Sequence, residues 1–256
     1  AQLKSPFPYR ENSLLCLPDG NAPTVKAPEF LDYMVEQMSL LVNASKGGAF
    51  LLFTSNRALA YAVEKLRRQF ERIGYPCYVQ GDGYTKMEIV NRMKECGNGV
   101  LFATKSFFEG ADIQGDALRM VVIDKMPFLA PSPFSQAQDE HLRAWARANL
   151  NLDASGLEYY PFNAKRIPEM IIDLKQAHGR LIRSMKDRGV VAILDNRTST
   201  TRYGRMQVIA SLPDSKQVRS IEAVREFFED SDIDTTPIAS LSSMELAEHL
   251  YGDIPF

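Results

Sequence analysis

The chain has 256 residues, 45% of them hydrophobic, enough to bury the core of one large domain or two small ones. Its net charge of −2 supplies no global basic field, so any grip on nucleic acid must be local. No apolar run reaches the ~18–20 residues that a membrane-crossing helix needs, and no membrane partner is expected. In chain order, residues 1–26 are Pro-rich and read as an arm or linker, with one candidate strand at Leu14-Leu15-Cys16-Leu17; residues 27–256 read as the domain proper. Ala49 to Thr54 is a buried-strand pattern. A helix follows over Ala58 to Ile73, with Leu59, Val63, Leu66 and Phe70 on its apolar side. Tyr75 to Gln80 reads as a strand, Lys86 to Cys96 as a helix, and Val100 to Thr104 and Met120 to Asp124 as strands. Residues 127–168 break the alternation, with Pro127, Pro131, Pro133, Pro161 and Pro168 around one amphipathic helix near Gln136 to Asn149. Ile167 to Met185 is a helix and Val190 to Leu194 a strand. The tail from Lys216 carries two helical patterns and the acidic run Glu229 to Asp232, a solvated surface.

This alternation predicts an α/β fold, a doubly wound and mainly parallel sheet with a helical excursion at about 127–168. Ligands of such sheets bind beyond the carboxyl ends of the strands. The loops after Thr54, Thr104, Asp124 and Leu194 are therefore where chemistry is expected. The cysteines, Cys16, Cys77 and Cys96, are far apart and form no C-x-x-C pair. That argues against a disulfide framework or a structural zinc, falls short of the usual iron–sulfur ligand set, and suits a reducing cytoplasm. His141, His178 and His249 show no metal spacing, so no metal site is expected. The amino terminus has neither a signal-peptide pattern nor Met, and the chain is expected to be a fragment.

Three stretches carry candidate chemistry. Gln176-Ala177-His178-Gly179-Arg180-Leu181-Ile182-Arg183 places an amide and two guanidiniums at steps of four and three, one stripe of a helix whose other side holds Met170, Ile171, Leu174 and Leu181. Arginine forks suit phosphate oxygens, and Gly179 permits close approach; an ordinary solvated face would look alike. Thr104-Lys105-Ser106-Phe107-Phe108-Glu109-Gly110-Ala111-Asp112 follows a strand directly. Its hydroxyls and ammonium could meet a phosphate and Asp112 a ribose, or the stretch is a plain strand-to-helix loop. Phe107 and Phe108 suit base stacking or, given their place at a strand end, the core. Phe53-Thr54-Ser55-Asn56-Arg57 opens a helix, with Ser55 or Asn56 as its cap, and free amides at a helix start attract phosphate.

The ordered set resembles the second RecA-like domain of superfamily 2 helicases, in the DinG/XPD-like branch. Phe53-Thr54-Ser55 is similar to motif IV. Ser106 to Asp112 is similar to motif V, where the branch often has Trp at the position of Phe108. Gln176 to Arg183 is similar to motif VI, and Leu194 to Arg197, Tyr203-Gly204 and Ser211-Leu212-Pro213 repeat further habits of the branch. The resemblance implies that Arg180 and Arg183 contact the γ-phosphate of ATP, that Gln176 senses it, and that Asp112 holds the ribose, with Glu109 and Gly110 in the same nucleotide-facing motif. It assigns Thr54, Ser55, Asn56, Arg57, Thr104, Lys105 and Ser106 to a grip on single-stranded DNA.

No G-x-x-x-x-G-K-[ST] occurs in the chain. Asp139-Glu140-His141 lacks the apolar strand that a DEAH box requires before it. The resemblance therefore implies that ATP with Mg²⁺ is bound mainly by a missing N-terminal RecA-like domain. Any iron–sulfur cluster would also lie outside this chain. Alone, the chain is expected to be inactive. The intact protein would be a monomeric ATP-dependent 5′→3′ DNA helicase whose partners are single-stranded DNA and that domain. The alternative is a non-catalytic protein- or nucleic-acid-binding module with the same fold.

Overall fold

The computed structural model describes residues 7–108, 117–182 and 184–229. Within them one parallel sheet is built from β1 (Ser13–Cys16), β2 (Ala49–Phe53), β3 (Cys77–Val79), β4 (Val100–Thr104), β5 (Met120–Ile123), β6 (Gly189–Ile193) and β7 (Lys216–Val218), in the order β3-β4-β2-β5-β6-β1-β7. The helices are α1 (Tyr9–Asn12), α2 (Phe30–Ala44), α3 (Asn56–Arg72), α4 (Lys86–Cys96), α5 (Lys105–Phe108), α6 (Pro133–Asn149), α7 (Ala154–Pro161), α8 (Ile167–Leu181), α9 (Arg197–Thr200) and α10 (Ile221–Glu229). None of these helices is long and apolar enough to cross a membrane.

The continuous apolar strands reflect a sheet covered on both faces. Ala49, Leu51 and Phe53 of β2 pack with Val100, Phe102, Met120 and Val122 under α2, α3 and α10. Phe50 and Leu52 point the other way, with Leu101, Val121 and Val191, under α4 and α8. Pairing of Leu51 with Phe102 on one side and Val122 on the other fixes this register; a slip of one residue would exchange the two faces. At the amino edge of the sheet the buried Arg119 donates to the carbonyls of Ser45 (3.2 Å), Lys46 (3.0 Å) and Gly97 (3.1 Å). It thereby pins the turns that lead into β2 and β4. Gly48, at φ +59°, makes room, since a Cβ there would come 2.9 Å from the guanidinium carbon.

Local signals explain most boundaries. Ser55 caps α3, accepting from the Ala58 amide at 3.3 Å, and Ala58, Ala62, Leu66 and Phe70 form its buried stripe, flanked by Leu59 and Val63. Thr85 and Glu88 form a capping box on α4, which Gly97 ends in a left-handed conformation. Lys65 and Arg67 of the basic cluster on α3 pair with Glu64, Glu71 and Asp82, as a solvated face would.

Other expectations are corrected. The motif-bearing helix α8 stops at Leu181, where Ile182 turns extended, short of the expected Met185. The tail opens on a strand, β7, too short and polar to stand out, before α10. The candidate strand of the Pro-rich arm forms where expected, as β1, and is an interior strand lying between β6 and β7. The excursion holds α7 as well as α6, and the helix runs through Pro161 into α8 by a π-helical turn over Phe162–Arg166. The wider turn accommodates the amide that proline lacks. Asp139 is buried on α6 and paired with Arg166, which leaves it no part in a DEAH-like site.

Candidate functional site

The ends of β2, β3, β4, β5 and β6 carry the polar groups of the carboxyl edge. After β2, the Thr54 amide and hydroxyl donate to the two oxygens of Asp124, at 3.0 and 3.1 Å, and the Lys125 amide adds a third bond at 2.7 Å. Asp124 is fully buried, and burial pushes its carboxyl up to about 6 despite those donors. Ser55 is occupied as a cap, whereas Asn56 and Arg57 stand exposed on the first turn of α3.

After β3 and β4, Gln80, Thr104 and Ser106 close a ring. The Thr104 hydroxyl donates to Gln80 Oε1 at 2.9 Å, Gln80 Nε2 donates to Ser106 Oγ at 3.3 Å, and the hydroxyls of Ser106 and Thr104 lie 3.0 Å apart. Since Thr104 has spent its proton on Gln80, Ser106 must donate to Thr104. The Thr104 amide also donates to Gln80 Oε1, at 2.8 Å. The amides of Thr54 and Thr104 are thus consumed internally, which leaves hydroxyl lone pairs and the exposed Ser106, Asn56 and Arg57 for an outside ligand. Gln80 escaped the sequence reading because a Gln closing a strand carries no motif. Lys105 does not project freely; its ammonium lies 2.5 Å from the Asp173 carboxylate on α8. The pocket between Thr54, Lys105, Pro127 and Asp173 is about 40 Å³, room for roughly two or three waters. Among the described residues, this pocket is too small for a base, and the edge offers a surface to lay a ligand across.

After β6, the buried Asp195 accepts from the Met126 amide at 2.9 Å and from the Arg197 guanidinium at 2.6–3.2 Å. Arg197 in turn lies 5.4 Å from the Phe128 ring. These residues brace the start of the excursion against the sheet.

The motif on α8 begins beside the carboxyl edge and runs away from it. Asp173 reaches Lys105 at the carboxyl edge, while Leu181 packs beside Gly189, the first residue of β6, where an added Cβ would meet it at 2.7 Å. The helix therefore runs antiparallel to the strands, and Arg180 lies about 10 Å further along its axis than Asp173. Met170, Ile171, Leu174 and Leu181 are buried as expected; Gln176 and Gly179 are exposed, Arg180 is half-buried, and nothing lies within 4 Å of a Cβ built on Gly179. Ala177, next to Gln176, lines the pocket with Thr54 and Lys105, so Gln176 starts beside the strand ends and Arg180 lies further along the helix. Glu109, Gly110, Asp112 and Arg183 lie outside the described residues, as does the Phe108 side chain, and the expected three-residue stripe keeps Gln176 and Arg180 on the observed helix. Phe107 is buried in the core below α4, as its place at a strand end suggested.

Residues 38–214 match the family model described as the helicase C-terminal domain. The chain belongs to that family. This helicase C-terminal domain is 37% identical over 228 residues to the ATP-dependent DNA helicase YoaA of Haemophilus influenzae, covering 89% of the chain and 33% of that protein. It is 32% identical over 221 residues to the ATP-dependent helicase DinG of Mycobacterium tuberculosis, covering 86% of the chain and 31% of that protein. The chain thus spans about a third of the length of the curated relatives it matches. A solved XPD helicase superposes with a TM-score of 0.51 at 17% identity, covering 81% of this chain and 36% of that one, which places the sheet in the RecA-like fold. The helicase C-terminal domain is of the DinG/XPD-like kind within superfamily 2.

Proposed function

We propose that this domain is the carboxy-terminal motor half of an ATP-dependent DNA helicase, of 5′→3′ polarity as the branch resemblance implies. In this reading ATP with Mg²⁺ is held mainly by a separate N-terminal RecA-like domain. Gln176 and Arg180, one turn apart on an exposed face of α8, suit the outer phosphate oxygens by donor type and spacing, and Arg183 joins them. The nucleotide supplies the phosphoanhydride bond whose hydrolysis drives the cycle. The side chains of this domain hold charge near the γ-phosphate and grip the strand. The single-stranded DNA backbone crosses the carboxyl edge, over the N–H groups of Asn56, Arg57 and Lys105, while Thr54, Thr104 and Ser106, whose hydroxyl protons go to Asp124, Gln80 and Thr104, order the edge beneath it. Ser55 contributes by shaping the start of α3.

The observation that carries the reading is the path along α8. Midway along it, at Asp173, the helix is tied to Lys105 at the strand ends; Gln176 follows within one turn, and Arg180 comes about 10 Å on. A single helix thus spans a DNA-facing edge and a nucleotide-facing surface, and domain closure that moves one must move the other.

The test is Arg180→Ala in the intact protein. Loss of an arginine finger lowers the rate by ~10³–10⁵, so DNA-stimulated ATP hydrolysis should nearly vanish while single-stranded DNA binding persists. Retained ATPase would overturn the assignment. So would substantial ATP hydrolysis by the isolated chain.

A further inference from the structure

On the buried face of α8, where Leu174, Ala177 and Leu181 are apolar, the sequence places His178, with no exposed surface. Its Nε2 lies 2.9 Å from Ser215 Oγ, Ser215 Oγ lies 2.5 Å from Ser13 Oγ, and Ser13 Oγ donates to the Tyr9 carbonyl at 2.8 Å. Each hydroxyl has one proton, which fixes the direction of the chain. Ser13 spends its proton on Tyr9, so Ser215 must donate to Ser13, and His178 must donate from Nε2 to Ser215. The ring is then the neutral Nε2–H tautomer. Nδ1 carries a bare lone pair, and it is indeed buried with no hydrogen-bond partner. Burial agrees with this, holding the imidazole down to about 4. The Tyr9 ring meets the imidazole edge-on, with centroids 5.4 Å apart.

This chain of bonds joins three segments distant in sequence: the turn into β1, the last turn of α8, and the residue before β7. The last turn of α8 is where the helix most needs outside support. It contains Gly179, a poor helix former, and it stops at Leu181 with Ile182 extended. An apolar side chain at 178 would fill the space but would not fix the rotation of that turn. A directional N–H bond to an anchored hydroxyl does, and it does so two residues before Arg180. Leaving Nδ1 unpaired is a penalty that an apolar residue would avoid.

We propose that His178 is a positioning residue, latched through Ser215 to the β1–β7 edge, that sets the angle at which the last turn of α8 presents Arg180. The proposal rests on the reading of Arg180 as the arginine finger. The latch does not touch nucleotide or DNA, so its effect belongs in turnover, not in ground-state binding.

The experiment compares His178→Leu, His178→Gln, Ser215→Ala and Arg180→Ala in the intact protein, at saturating single-stranded DNA. His178→Leu keeps volume and loses the donor; His178→Gln restores an N–H at about the reach of Nε2. Expected for His178→Leu and Ser215→Ala is a fall in kcat for ATP of about tenfold or more with KM within about twofold. His178→Gln should recover most of that loss, and amide exchange should quicken in residues 177–181. Wild-type kcat in both His178→Leu and Ser215→Ala overturns the latch. A fall that His178→Gln does not rescue, matched by an equal loss of Tm in all three variants, would mean a merely structural role and overturns it equally. If His178→Leu fails to fold, Ser215→Ala, which loses only a hydroxyl, decides alone. Arg180→Ala separates the two readings: if it keeps activity, the finger assignment has failed; if it abolishes activity while the latch variants are unimpaired, only the latch has.

Discussion

Lys105 and Asp173 meet at 2.5 Å, joining the first residue after β4 to the helix that carries Gln176 and Arg180. A phosphate arriving at the strand ends would compete with Asp173 for the same ammonium. Because the lysine side chain is 36% exposed, the pair itself contributes little, within about 1 kcal/mol. Asp173→Asn should therefore leave Tm nearly unchanged and tighten single-stranded DNA binding at low salt. Lys105→Ala should weaken binding and lower the slope of log K against log salt by about 1. Fluorescence anisotropy across a salt titration reads both; an unchanged slope for Lys105→Ala would remove this lysine from the grip.

Gln80 gives a second prediction. It accepts from both the amide and the hydroxyl of Thr104 and donates to Ser106. Gln80→Leu would leave the half-buried Thr104 amide without its acceptor, a loss of about 1–3 kcal/mol, and would free the two hydroxyls to rotate. Chemical denaturation should show the lower stability, and DNA affinity should fall without a change in salt slope, because no charge is lost. A variant as stable as the parent would show that the ring does not order this edge.

The outline of the sheet was legible because its strands are buried on both faces and appear as bare apolar runs, as in Phe50-Leu51-Leu52 or Val121-Val122-Ile123. Helix α4 was legible to the residue because Thr85, Glu88 and Gly97 signal both its ends. Helix α2 carries an equally regular stripe, Phe30, Met34, Met38 and Leu41, yet Glu29 at its cap position makes no side-chain cap bond, so its start is unmarked. The prolines at 161 and 168 spoke for a break that a π-helical turn absorbs. For the candidate site, residue types and order were enough to nominate Thr54, Lys105 and Arg180. The bonding partners could not be found that way, because Asp124 is brought to Thr54, Asp173 to Lys105, Gln80 to Thr104 and Ser215 to His178 only by the fold, across separations of 24 to 70 residues.

Arg119 offers a test of the amino edge. Its guanidinium serves three carbonyls on two different turns. A lysine would deliver one compact ammonium where a planar fork spans several acceptors. Arg119→Lys should cost about 2–4 kcal/mol, part of it from carbonyls left unpaired in a buried setting. Thermal unfolding measures this; a shift in Tm no larger than that of an exposed control such as Arg68→Lys would show that the turns before β2 and β4 hold without it.

Asp124 and His178, both buried, have opposite linkage to pH. Asp124 is raised by burial from 3.8 to about 6, so the folded protein binds its proton more tightly than the unfolded chain. That contribution is complete below about pH 4 and is lost as pH rises through 6. His178 is lowered by burial from 6.5 to about 4, so its contribution is complete above pH 6.5 and is lost as pH falls through 4. Between about pH 4 and 6 the two slopes oppose each other, each integrating to a magnitude on the order of 2–3 kcal/mol. Removing one should expose the other. Relative to the parent, Asp124→Asn should lose more stability on acidification from pH 6.5 to 4.5, and His178→Gln should lose less. Groups common to all three proteins cancel in these differences. Urea denaturation at the two pH values gives the comparison, and variant profiles running parallel to the parent's would mean that neither group titrates differently in the folded protein.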